Sequence, residues 1–217
     1  MSPATEQQPE YQRNVWRDEY SGFRLCRERL QARYGAFTTP NVAKALGRDH
    51  TWLWRIESGA AGPTIPNFAL LASAYLGLLR ETFPDETHTL HTFLRDIPYP
   101  RGADPQQIPT CDGLFCWHTA HLRRELGQIL QPDSGKPAAI PRITAGAQLH
   151  NEVIETIEAG TSAGSIHALR NLYHYFRAHL NRPLLLDEIL TIPARIPPPL
   201  AQLRYASPPS RRGRPPR

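Results

Sequence analysis

Three groups of residues have the types and spacing to do chemistry. The first is His50, Thr51, Trp54 and Arg55, with Arg48 just before them and Thr39 upstream. On one short helix these would present an imidazole, a hydroxyl, an indole and a guanidinium to the outside. An Arg can hold guanine O6 and N7 in a bidentate pair, and a Thr can meet a thymine methyl, so hydrogen bonding to base edges is chemistry open to these types. The second group is the terminal run Ser210-Arg211-Arg212-Gly213-Arg214-Pro215-Pro216-Arg217, in which Arg212 and Arg214 flank a glycine. The third is Cys111, Cys116, His118 and His121. Its Cys-x4-Cys-x-His-x2-His spacing crowds four potential ligands together and lacks the longer loop that separates ligand pairs in tetrahedral zinc sites. No metal is assigned there and no cofactor is expected. The favoured reading is Asp112 capping a helix, with Cys116 as a small buried hydrophobe. His88 and His91, three apart, are read as a solvated face.

The elements that must position the first group can be read from punctuation. Phe37, the N-cap candidate Thr38 and Val42 form a hydrophobic staple into a helix, with Pro40 tolerated in its first turn. The spacing predicts a helix over 41–46 that Gly47 ends, then Asp49 capping a helix from His50 to Ser58 that Gly59 ends. Leu53 and Ile56 face a core with Val42 and Leu46, which sends His50, Thr51, Trp54 and Arg55 outward. Further helices are predicted over 23–33, 67–79, 114–130, 148–158 and 166–180, the last two joined by the turn from Gly160 to Gly164. Proline clusters at 98–109, 132–141 and 193–216 mark loops between them. No strand is expected and no internal repeat is evident. The fold class is all-α.

Charge is unevenly placed. The chain has 217 residues and a net charge of +5. Residues 1–20 sum to −2, residues 21–79 to +4, residues 80–203 to −2 and residues 204–217 to +5. One compact segment and one tail are basic, the footprint of a polyanion binder with two contact points. The polar start of the chain and the absence of a long apolar run speak against a secreted or membrane protein. Three cysteines, an odd and sparse set, suit a reducing cytoplasm better than a disulfide scaffold.

Residues 22–80 resemble the Cro and lambda-repressor-like (Xre-type) helix-turn-helix regulators. The resemblance rests on Val42-Ala43-Lys44-Ala45-Leu46-Gly47, on Leu53-Trp54-Arg55-Ile56-Glu57-Ser58-Gly59, on Pro63 and on Ala74-Tyr75-Leu76-Gly77. It implies that the positions of His50, Thr51 and Arg55 reach base edges, that Thr39 touches phosphate or base, and that Glu57 is a structural acid. Trp52 and Trp54 depart from the pattern, which has small or polar residues there; Trp52 is assigned to the core or a dimer surface. The terminal run resembles an AT-hook, whose Arg-Gly-Arg-Pro core lies in the minor groove of A·T-rich DNA. A plain basic tail on phosphates is the reading weighed slightly ahead of it.

The expected organisation is therefore an N-terminal arm at 1–21, a helix-turn-helix domain at 22–80, a helical dimerisation, partner or effector region at 81–192 and a disordered Pro/Arg-rich tail at 193–217. Residues 166–190 resemble the start of another helix-turn-helix module that breaks off at Pro193 without a recognition helix. The chain is expected to be a sequence-specific DNA-binding regulator, by preference a repressor, not an enzyme. It would act on double-stranded DNA as a homodimer in a bacterial cytoplasm, at the nucleoid, with no membrane partner and an optional protein partner through 81–192. No phosphate-binding loop, nucleophile elbow or metal-carboxylate pair appears. The contrasting readings are an antitoxin with an autoregulatory DNA-binding domain and a helix-turn-helix used for protein contacts.

Overall fold

The computed structural model describes residues 22–206, and these are mostly helical. In chain order they form α1 (Phe23–Tyr34), α2 (Thr39–Ala45), α3 (His50–Glu57), α4 (Ile65–Thr82), α5 (Thr119–Leu130), α6 (Ile140–Gly146), α7 (Asn151–Glu158), α8 (Ile166–His179) and α9 (Pro198–Gln202). Short 3-10 turns lie at Leu90–Thr92 and Leu186–Glu188. No helix among them is long and apolar enough to cross a membrane.

The first four helices follow from local chemistry. Thr38 caps α2, its hydroxyl accepting from the Asn41 amide at 3.4 Å, and Asp49 caps α3, its carboxylate accepting from the Trp52 amide at 2.9 Å. Gly47 and Gly59 take φ of 67° and 72°, the left-handed conformation that ends a helix without steric cost. Leu53, Val42, Phe37 and Phe68 are wholly buried. They meet α1 through Phe23, whose ring lies 5.5 Å from Phe68 and 4.7 Å from Phe93.

Contrary to the expectation from sequence, the fold repeats itself. Helices α2, α3 and α4 start at Thr39, His50 and Ile65, and α6, α7 and α8 start at Ile140, Asn151 and Ile166, each 101 residues later. Lengths match too, at 7 residues for α2 and α6 and 8 for α3 and α7. Backbone hydrogen bonds recur at the same spacing. The Arg48 amide donates to Ala43 and that of Leu149 to Thr144, and the Ala61 amide donates to Arg55 and that of Ser162 to Thr156. Gly47 is matched by Gln148, the described non-glycine residue with positive φ, at 54°. Flanking elements repeat with a spacing of 96, as α1 does in α5 and the turn at Leu90 in the turn at Leu186. The repeat hid because its identities are scattered over positions such as Pro40 and Pro141, Ile56 and Ile157, and Gly59 and Gly160, and because a longer loop shifts the register after α5.

Several other expectations change. The helix predicted from 114 begins at Thr119, because Cys116–Trp117 forms β1 and pairs antiparallel with β2, Leu190–Thr191. Two helices start inside proline clusters, α6 and α9. Pro141 and Pro198 occupy first turns, where a missing N–H costs nothing. The counterpart of α3 in the second unit is α7, which lies ahead of 166–190 and not after it. The tail expected to be disordered from 193 is ordered through 206. The Ser73 hydroxyl donates to the Pro193 carbonyl at 2.6 Å, the Arg195 amide donates to the Ser73 carbonyl, and Leu200 of α9 is buried where α9 packs on α2. Cys111 and Cys116 form a disulfide, so the sparse cysteines are not all free thiols. This consumes both sulfurs of the Cys/His group, and Cys116 lies in β1, not in a helix. His88 and His91 are buried, not solvated.

Candidate nucleic-acid interface

The structure brings most of the first group of residues onto one surface. On α3, Thr51, Trp54 and Arg55 are exposed, with His50 at its first turn and Arg48 in the turn before it. Trp54 is 55% exposed, an unusual position for a large apolar ring. Thr39, at the start of α2, is half-buried. Neither Arg48 nor Arg55 is committed to an ion pair among the described residues. Arg48 instead lies 5.5 Å over the ring of Trp52, which is half-buried and packs on the core. That places Trp52 in a supporting role and leaves Trp54 as the indole on the surface.

What holds this surface rigid is underneath it. Glu57, the last residue of α3, is 3% exposed, and Arg27 of α1 donates from Nε to both its carboxylate oxygens at 2.8 and 2.9 Å. Burial pushes the Glu57 carboxyl up, against the pull of Arg27. Leu53 and Ile56, 0% and 3% exposed, close the inner face of the helix. At its other end the Trp52 amide holds the Asp49 carboxyl below the usual carboxylate range, so this acid serves the helix terminus. The outer face of α3 is therefore fixed at both ends while its polar tips stay free to engage a ligand.

A shallow cleft of about 410 Å³ runs beside α3 and brings Thr51 and Arg55 together with Thr64, Asn67 and the backbone of Ala61 and Gly62. Thr64 and Asn67 went unnoticed in the sequence. Their signal was weak, because they lie at the start of the next helix and join the face only when α4 folds back past α3. Lys44 of α2 adds a further exposed cation. Together these groups offer donors, a guanidinium and an exposed aromatic, with the exposed Asp49 at the edge of the same cleft holding the Trp52 amide. That arrangement suits a polyanion presenting base edges.

The remaining candidates separate. Arg212 and Arg214 lie outside the described residues. Helix α9 packs on α2 and Arg204 pairs with Glu81 of α4 at 2.6 Å, so the described chain ends close to the first helical unit. His118 is half-buried and His121 exposed. Among the described residues no cluster of three or more His, Cys, Asp or Glu could hold a metal ion. Searches against family models, curated proteins and solved structures match this chain to none of them.

Proposed function

We propose that the protein is a sequence-specific DNA-binding transcription regulator of helix-turn-helix type, with α2 and α3 as the motif and α3 as the helix that enters the major groove. The observation that supports this most directly is the outer face of α3. It presents Thr51, Trp54 and Arg55 on a helix braced from inside by the buried Arg27–Glu57 pair. A surface kept for solubility alone needs neither an exposed indole nor such bracing. Arg55 would grip guanine and Thr51 a thymine methyl, with His50 and Arg48 at the helix start and Thr39 near the backbone. Arg212 and Arg214 would add minor-groove or phosphate contacts from the tail. Repression follows as the simplest output, by occupying an operator. The chemistry is binding, with no catalytic step.

The test is selection of bound duplexes from a randomised pool with the full-length chain at physiological salt. Enrichment of a defined motif of major-groove contacts, lost on Arg55→Ala, is the expected result. Enrichment of A·T-rich tracts alone would move the activity to the tail, and no enrichment would overturn the reading.

A further inference from the structure

The two halves of the chain are related to one another as the subunits of a dimer are. Two independent sets of contacts show this. Thr64 and Ser165, equivalent by the 101-residue spacing and each the N-cap of its helix, form an antiparallel bridge. An antiparallel bridge between equivalent residues has a local two-fold axis, which exchanges the start of α4 with the start of α8. On the other side, the Leu90 amide donates to the Asp187 carboxylate at 2.9 Å and the Leu186 amide donates to His91 Nε2 at 3.0 Å. Leu90 and Leu186 are equivalent, as are His91 and Asp187, so this is one contact made twice across the same kind of axis. The brace is repeated as well, since Arg123 of α5 pairs with Glu158 of α7 at 2.5 Å as Arg27 does with Glu57.

The exposed positions do not repeat. Where the first half has Thr39, Arg48, His50, Thr51, Trp54 and Arg55, the second has Ile140, Leu149, Asn151, Glu152, Glu155 and Thr156. Both arginines are gone, and Glu152 and Glu155 stand exposed on α7. Binding to DNA depends on cations that displace counterions from phosphates, and two exposed carboxylates in their place oppose it.

We infer that one chain is a complete pseudodimer with a single reading helix: the second half occupies the dyad face on which a second copy would dock, and of the equivalent helices α3 and α7 only α3 reads bases, at one half-site per molecule. This stands in place of the expected homodimer and rests on the DNA-binding reading of α3. Two measurements test it separately from that reading. Sedimentation of the free full-length chain at micromolar concentration should give the 24.5 kDa monomer; a stable dimer would overturn the inference whether or not DNA is bound. On the selected duplex, one chain should protect one unrepeated motif. Two chains on an inverted repeat with half-sites about one helical turn apart would overturn it. Glu152→Ala with Glu155→Ala, both on the surface, should leave affinity for that duplex unchanged or raised. A loss of about tenfold or more would show that α7 reads bases and would overturn the single-reader claim. If no duplex is enriched, the DNA reading falls, and the sedimentation result alone decides the pseudodimer.

Discussion

The two halves share a backbone and differ in what they show to solvent. Val42, Leu53, Ile56 and Phe68 of the first half are answered by Ile143, Ile154, Ile157 and Leu169 of the second, every one of them buried. Hydrophobic character, more than exact shape, is kept at these positions. At the exposed positions of α3 and α7 nothing is conserved, and the sign of charge reverses. The lesson is that the buried residues and the turn residues define the unit, whereas a handful of outward side chains decide what it binds. A second difference lies in the brace. The side chains of Arg27 and Glu57 are 9% and 4% exposed, while those of Arg123 and Glu158 are 14% and 19% exposed. The half that carries the proposed reading face has the drier ion pair.

The largest expected effect tests that last point. Arg27→Ala leaves Glu57 buried without its partner and should cost about 3–5 kcal/mol of stability in urea unfolding. Arg123→Ala, at the wetter pair, should cost roughly 1–3 kcal/mol. Equal losses would erase the distinction between the braces.

Next comes the contact at the dyad, where equivalent positions carry different acids and bases. Desolvation lowers His91 to about 4, in keeping with Nε2 accepting from Leu186 while Nδ1 donates to Ile97. Desolvation raises Asp187 to about 7. The His91 contribution is present above pH ~6.5 and is lost as pH falls toward 4, while the Asp187 contribution is present below pH ~4 and is lost as pH rises toward 7. In the intact chain these two contributions oppose one another across this window. Asp187→Asn keeps an oxygen for the Leu90 amide and removes one slope. Its stability should then fall by up to about 3 kcal/mol between pH 6.5 and 4, measured by denaturant melts. A flat profile in that variant would remove His91 as a titrating partner at the dyad.

Smaller effects concern the reading face. Arg55→Ala should relax base choice at one position at a cost of about 1–3 kcal/mol, while Thr156→Ala, its counterpart on α7, should change nothing in a competition assay against mutant sites. A uniform loss for Arg55→Ala across all sequences would make it a phosphate contact. Deleting residues 207–217 should shallow the slope of log affinity against log salt by roughly 0.9 for each phosphate contact removed, with the motif unchanged.

Much of the first half was legible in the sequence because its signals are local. Thr38, Gly47, Asp49 and Gly59 mark helix ends by themselves, and Leu53 with Ile56 fixes which face of α3 is inward. The second half has the same plan in weaker ink. Its caps are Ala139 and His150, neither with a side-chain cap hydrogen bond, and Gln148 stands where a glycine would have announced the turn. Pro141 reads as a loop residue until its place in a first turn is known. His91 and Asp187 were invisible as a pair because nothing in a linear sequence brings together residues so far apart. The ordered strap from 193 to 206 was missed for the opposite reason. Its prolines speak loudly for irregular structure, and they say nothing about Leu200 or the Ser73 carbonyl that tie it down. Of the residues that share the cleft beside α3, Thr51 and Arg55 were singled out in the sequence and Thr64 and Asn67 were not, since they join it only through the path of α4.

The linkage between the halves has a consequence for assembly. Bonds within each half can form early, while those across the axis join residues 97 and 95 positions apart. Closing such long loops costs entropy, so docking of the two halves is expected to follow formation of the helices within each half. Between the halves the chain passes through Pro98, Pro100, Pro105 and Pro109 and is pinched by the Cys111–Cys116 disulfide. A short, stiff connection of that kind keeps each half in the other's neighbourhood at an effective concentration on the order of millimolar. Halves from different molecules, at the far lower concentrations of a cell, would meet too seldom to compete with the partner already tethered alongside.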